Sequence, residues 1–142
     1  MHLVMHVLRE KSGAVHTISP DASVLEAAQS MNRHHIGSLV VMSGPVPVGI
    51  ITERDIMTRV VAEERSPSST TVGNVMTPRL ITCSMATPLD DLRRLMRERR
   101  IRHVPVIEDG MPVGMVSIGD LNRAETQALS ETVSYLEAYI TH

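Results

Sequence analysis

"GIITERDI" spans Gly49–Ile56 and "GMVSIGDL" spans Gly114–Leu121. Both read glycine, a short aliphatic and hydroxyl run, two variable positions, aspartate and an aliphatic residue. An apolar strand gives way to Thr52 or Ser117, and an acid follows three residues later, Asp55 or Asp120. That spacing is close to a capping box. The hydroxyl accepts from an N–H of the first helical turn, and the acid suits the positive end of the helix dipole. The same geometry also suits a ligand. A helix N-terminus offers free N–H donors to a phosphate, and a nearby carboxylate can accept from two ribose hydroxyls. The preceding aliphatic strand offers an apolar wall for a base.

The two phrases lie 65 residues apart, and that offset holds without gaps on either side. Thr17 falls on Thr82, Ser19 on Ser84, Met31 on Met96, Ile36 on Ile101 and Val41 on Val106. "PVG" at Pro47–Gly49 falls on "PVG" at Pro112–Gly114. A gap-free correspondence over roughly 45 positions marks an internal duplication, and two copies are too few for a solenoid. Two half-domains about a pseudo-twofold axis are the natural outcome.

Each copy reads β-α-β-β-α. "AVHTIS" and "RLITCS" are short strands. "DASVLEAAQSMNRHH" is a helix with Ser23 as cap, Glu26 three residues on, and an apolar face of Val24, Ala27, Ala28 and Met31. In the second copy Thr87 is the expected cap and Pro88 the first helical residue, with Leu89, Leu92 and Met96 on one face. The runs "IGSLVVM" and "IRHVPVI" are buried strands. Gly/Pro-marked turns, "SGPVP" and "EDGMP", return the chain into "VGIIT" and "VGMVS". "ERSPSSTT" links the copies. "MHVLRE" and "VGNVMT" are equivalent helical turns, one ahead of each copy. After Asp120 the positions Leu121, Ala124, Ala128, Val133, Leu136 and Ile140 sustain a helical face, as a packing or dimer helix would. The expected boundaries are 1–66, 67–124 and a helical extension, 125–142. The fold class is α+β: two pseudo-twofold-related motifs packed through their sheets into one disc-like module, with a long C-terminal helix.

Composition narrows the function. The chain has 142 residues, net charge -2 and 42% hydrophobic content. With no Phe or Trp, the core must come from Val, Ile, Leu and the ten Met residues, Met acting as adaptable filler. A single cysteine, Cys83, excludes an intrachain disulfide and any CxxC zinc spacing. The N-terminus lacks a signal-peptide pattern, and no apolar run reaches membrane-spanning length. A cytoplasmic protein with no membrane partner is expected. Near-neutral charge and scarce aromatics argue against nucleic acid. "RRLMRERRIRH" therefore reads as a solvated helix face carrying Arg93, Arg97 and Arg100, followed by the ligand candidates Arg102 and His103. His2 and His6 have helical spacing but no further ligand nearby, so no metal site is expected. Cys83 reads as core-facing, and no nucleophile–base order is present, so no catalytic residue is assigned.

The ordered pattern resembles a tandem pair of CBS domains, from about Val7 to about Arg123. It is carried by "VHTISPDASVLEAAQSM", "IGSLVVM" and "VPVGIITERDI", then by "NVMTPRLITC" and "RIRHVPVIEDGMPVGMVSIGDL". The resemblance implies that Asp55 and Asp120 bind ribose and that Thr52 and Ser117 contact phosphate or ribose. It implies that first-strand residues flank base and sugar: Thr17 and Ile18, then Thr82 and Cys83. It implies that the start of the second strand lies beside them: Ile36, Gly37 and Ser38, then Ile101, Arg102 and His103. Arg102 and His103 match phosphate-contacting positions of AMP-sensing relatives. Gly37 and Ser38 do not, leaving Arg54 as the compensating cation.

The expected function is a stand-alone regulatory module, not an enzyme. It binds AMP, ADP, ATP or NAD between the copies and changes conformation or assembly, with no catalytic cofactor. The resemblance further implies a homodimer. With no attached catalytic or transport domain, output would pass to an effector in trans. Two alternatives stay open: a ligand-free dimerisation module whose two phrases are only caps, and a nucleotide-processing enzyme.

Overall fold

The computed structural model describes residues 2–11 and 15–141. The first copy contains β1 (Thr17–Ile18), α2 (Val24–His34), β2 (Ser38–Ser43), β3 (Val46–Thr52) and α3 (Glu53–Ile56), preceded by α1 (Val4–Glu10). A π-helical segment, Met57–Val61, prolongs α3. After a 3-10 turn at Pro67–Ser69 come α4 (Val72–Val75), α5 (Leu89–Arg99), β4 (His103–Glu108), β5 (Met111–Ser117) and α6 (Ile118–Thr141).

The hairpins superimpose on the repeat. β2 pairs antiparallel with β3, Ser38 opposite Thr52. β4 pairs with β5, His103 opposite Ser117, and each hairpin shifts register at the same place, after Val41 and after Val106. The first strands differ. β1 runs parallel to β2, whereas "RLITCS" forms only a single parallel bridge, Cys83 to Val106. The cause is Pro105. In the first copy the Val40 N–H donates to the His16 carbonyl at 3.2 Å. Pro105 holds the equivalent position and has no N–H to donate, so the ladder cannot extend.

Caps explain the helix boundaries. Ser23 Oγ accepts from the Glu26 N–H at 3.1 Å and starts α2. Thr87 does not cap α5: its hydroxyl accepts from the Ser84 N–H at 2.9 Å, and Pro88 takes the cap position without a side-chain bond. The preceding turn has claimed the hydroxyl. α2 and α5 both end on a left-handed residue, His35 (φ 54°) and Arg100 (φ 55°), where glycine is the usual choice.

The two cores exchange segments. One gathers Val24, Ala27, Met31, Leu39, Val41 and Ile51 of the first copy with Val72 and Val75 of α4. The other gathers Leu92, Met96, Val104, Val106, Val116 and Leu121 of the second copy with Val4 and Val7 of α1. Each helical turn therefore packs on the copy it does not directly precede in the chain: α1, just ahead of the first copy, completes the second, and α4, just ahead of the second, completes the first. Backbone bonds lock both turns in place. Val4 N–H donates to Thr87 O, and Val72 N–H donates to Ala22 O.

The α6 helix is 24 residues long, about 36 Å. Leu121 is buried, but Leu129, Val133, Leu136 and Ile140 stand at least half exposed. Among the described residues nothing covers its distal half.

Gly49 sits where α4 leaves the core. A Cβ there would lie 2.6 Å from the Thr77 carbonyl oxygen, a backbone atom held by paired bonds between Ile50 and Thr77. At Gly114 the nearest atoms are Leu8 methyls at 2.7 Å and 2.8 Å, which can rotate away. Gly49→Ala is expected to lower stability by about 1–3 kcal/mol, as overpacking does, and Gly114→Ala by less. Chemical denaturation of the two variants measures the difference.

Candidate functional site

At both strand-to-helix junctions the phrase forms a complete capping box. Thr52 Oγ1 accepts from the Asp55 N–H at 3.1 Å, and Asp55 Oδ2 accepts from the Thr52 N–H at 2.9 Å. Ser117 and Asp120 repeat this at 3.1 Å and 2.8 Å. Asp55 and Asp120 are 7% and 3% exposed, so the caps hold two carboxylates nearly buried. Each carboxylate has a second face. Asp55 Oδ1 accepts from Thr77 Oγ1 at 3.2 Å, with Arg59 Nη1 at 3.9 Å. Asp120 Oδ2 also accepts from Lys11 Nζ at 2.9 Å, and Arg123 donates to Oδ1.

Each Asp borders a cleft built from both copies. The Asp120 cleft, about 390 Å³, joins Ser117 and Asp120 to Ile36, Gly37 and Ser38 of the first copy. The Asp55 cleft, about 240 Å³, joins Thr52, Arg54 and Asp55 to Ile101, Arg102 and His103 of the second copy. Sequence order groups Gly37 and Ser38 with Asp55. In the folded chain they stand with Asp120, and the basic pair Arg102–His103 stands with Asp55. His103 lines both clefts. It is the shared wall between them, and Gly37 faces it: a Cβ on Gly37 would lie 3.3 Å from His103 Nε2.

Thr17, Ile18, Thr82 and Cys83 line neither cleft. Their predecessors do: His16 borders the Asp120 cleft and Ile81 the Asp55 cleft. Alternation along extended chain turns Thr17 and Thr82 to the side opposite His16 and Ile81, and core packing withdraws the other two. Ile18 packs against the first core and Cys83 lies in the second. Burial, and then the nearby Glu108 charge, push the Cys83 thiol up to about 11, so it stays protonated at neutral pH.

Several cleft residues carry no signal in the duplicated phrase. Lys11, His34 and Arg123 border the Asp120 cleft, and Thr77 and Arg79 border the Asp55 cleft. His35 and Arg100, the two left-handed helix ends, border one cleft each. The sequence groups Arg100 with Arg93 and Arg97 on a solvated face. Arg93 instead binds Glu125 at 3.1 Å, tying α5 to α6, and Arg100 turns to the Asp55 cleft. The offset that matches His35 with Arg100 is the signal that points to them.

His16 and His103 are held toward neutrality. His16 stacks on His34 with ring centroids 3.8 Å apart; burial and then His34 lower its pKa. Burial also lowers His103, against the opposing pull of Glu53 and Asp120. For Asp120, burial favours the neutral acid, but the Ser117 N–H, Lys11 and the Ser117 hydroxyl outweigh it and leave the carboxyl below its ordinary value.

A duplicated β-α-β-β-α unit, with a capped aspartate at each of two clefts between the copies, defines a paired ligand-binding module. The chain belongs to the CBS domain family, whose profile matches residues 11–62 and again 72–126. It is 42% identical over 125 residues to the mitochondrial CBS domain-containing protein CBSX3 of Arabidopsis thaliana, covering 84% of this chain and 61% of that one. It is 34% identical to the CBS domain-containing protein YhcV of Bacillus subtilis, covering 90% of this chain and 89% of that one. The chain thus spans under two thirds of the plant relative and most of the bacterial one. A CBS-domain protein from Agrobacterium tumefaciens has the same fold, with TM-score 0.82, 36% identity and coverage of 87% and 99%. A CBS domain pair in complex with 5′-methylthioadenosine and S-adenosyl-L-methionine gives TM-score 0.80 and 28% identity, covering 90% and 98%. Among the described residues no helix is long and apolar enough to cross a membrane.

Asp120 links the site to stability. Its folded pKa lies below the unfolded one, so its contribution is complete above the ordinary value of 3.8 and disappears as pH falls through the lower folded value. Asp120→Ala is expected to destabilise the protein at pH 7 by about 1–2 kcal/mol, as loss of a cap does. In urea titrations the gap to wild type closes as pH drops below about 4. A gap that stays constant to lower pH rules this assignment out.

Proposed function

We propose that this chain is a regulatory module that binds adenosine-type ligands in its two clefts, and that ligand binding alters how the copies sit against each other. One observation carries the reading: each cleft takes its capped aspartate from one copy and its second-strand start from the other. A ligand seated there touches both halves. Asp55 and Asp120 accept from the ribose with the lone pairs that their present partners leave free. Thr52 and Ser117 sit at helix N-termini beside the phosphate or its replacement. Ile50, Ile81, Ile101 and Pro105 supply an apolar wall in one cleft, and Leu8, Val15, Ile36 and Met115 supply one in the other. The neighbour with two adenosyl compounds bound supports the ligand class. Coupling to a partner requires that the ligand prefer one arrangement of the copies.

Binding rather than turnover is the proposed activity, with an effector acting in trans. Domain limits of 1–66 and 67–124 serve as a first division, amended by the exchange of α1 and α4. Leu129, Val133, Leu136 and Ile140 recur at intervals of four, three and four residues along α6, a heptad seam that suits a second copy of the chain. Val133→Glu with Leu136→Glu is expected to convert a dimer to a monomer in analytical ultracentrifugation; a monomeric wild type refutes the dimer.

A thermal-shift panel of AMP, ADP, ATP, NAD and S-adenosylmethionine tests the ligand reading. A bound compound at 100 times its Kd stabilises the fold by about 2.7 kcal/mol. The upward shift is expected to vanish in Asp55→Ala/Asp120→Ala. No shift with any compound at millimolar concentration counts against adenosine binding. Conversion of a compound during incubation, followed by chromatography, indicates an enzyme instead.

A further inference from the structure

The two clefts spend their positive charge differently. In the Asp120 cleft both cations, Lys11 and Arg123, are already paired with the Asp120 carboxylate. The Asp55 cleft is bordered by four guanidiniums, Arg54, Arg79, Arg100 and Arg102. Among the described residues, none of the four has a carboxylate within ion-pair distance. They come from separate parts of the chain: the first turn of α3, the segment after α4, the end of α5 and the start of β4. Their convergence is a product of the fold, not of one basic run. The cleft's two acids are engaged by other groups. Asp55 is held in its capping box and by Thr77, and Glu53 lies against Gly37 and His103.

Arg100 also offers a variant that separates binding from folding. It holds a left-handed backbone (φ 55°) at the end of α5, a conformation that glycine adopts without strain and that other residues rarely take. A guanidinium stands at the strained position and faces the cleft. His35, Glu64 and Asp109 share this left-handed backbone, so the guanidinium, not the backbone, distinguishes the Asp55 cleft.

We propose that the Asp55 cleft is a polyphosphate-selective subsite, in which Arg79 and Arg100 join Arg54 and Arg102 around a chain of two or more phosphates. The Asp120 cleft, with its cations neutralised, gains little from added phosphate. The inference rests on the adenosine reading for the nucleoside part of the ligand, and on the guanidinium cluster alone for the phosphate part. Arginine suits this role because its fixed fork binds phosphate oxygens two at a time and stays charged at every physiological pH. Four donors from separate elements exceed what one phosphate needs.

The test is calorimetric titration with adenosine, AMP, ADP and inorganic tripolyphosphate, at low and at elevated salt. For the tighter binding event, ADP is expected to exceed AMP by about tenfold or more, one good charge-assisted contact. The advantage shrinks as salt rises. Arg100→Gly separates binding from folding: the advantage of ADP falls while the Tm holds or rises, because glycine relieves the backbone. Arg79→Ala also lowers the advantage. Arg97→Ala, which removes an exposed charge from α5 away from the cleft, leaves it intact. Equal affinity for AMP and ADP, or an ADP advantage untouched by Arg79→Ala and Arg100→Gly, overturns the subsite and leaves adenosine binding standing. Tripolyphosphate binding without any nucleoside binding upholds the subsite and defeats the adenosine reading. Failure of all four compounds to bind defeats both.

Discussion

The reciprocal hydrogen bonds between Thr52 and Asp55, and between Ser117 and Asp120, hold the rest of the site in place. Each box ends a strand and starts a helix at one residue. It satisfies two backbone donors that would otherwise be orphaned. It also leaves a buried carboxylate with one oxygen committed to the backbone and a second facing a cleft. Capping and ligand binding are therefore not rival explanations of the phrase. The cap supplies the rigidity that a carboxylate needs to act as a preorganised acceptor.

What the boxes cannot do is choose their partners, and that choice comes from exchange between the copies. α1 and α4 each complete the core of the copy they do not belong to by simple chain order. The two halves are thereby stitched together at both ends. Neither core closes without a segment contributed across the repeat boundary, so the halves behave as one folded unit. Both clefts lie along the same contact between the copies, and His103 lines the two of them. The two clefts therefore share one imidazole wall.

Duplication does not make the clefts alike. Pro105, where the first copy has Val40, removes one ladder bond and reduces the second copy's first strand to a bridge. Lys11 and Arg123 clamp Asp120, whereas a hydroxyl and a more distant guanidinium attend Asp55. His16, His34 and His35 border the Asp120 cleft, and Arg54, Arg79, Arg100 and Arg102 the Asp55 cleft. The pseudo-symmetric backbone carries two chemically distinct surfaces, and the differences lie in side chains at matching positions, such as His35 and Arg100.

The sequence by itself determined the element order, the doubling, the two hairpins and both capped aspartates. These are local: they depend on periodicity, on hydroxyl–acid spacing and on turn residues a few positions apart. Two local readings missed because a neighbour competed for the same atom, as when the Ser84 turn took the Thr87 hydroxyl, or because a donor was absent, as at Pro105. Only the tertiary structure decided which side chains share a cleft. The offset of 65 residues aligns Gly37 and Ser38 with Arg102 and His103. It says nothing of which aspartate each pair faces. That depends on packing two sheets face to face, a contact between residues distant in the chain and invisible to any local pattern. The same holds for Arg79 and Arg100. In sequence each is one charge among many; in the fold they join one cationic cleft because helix end, linker and strand start meet there.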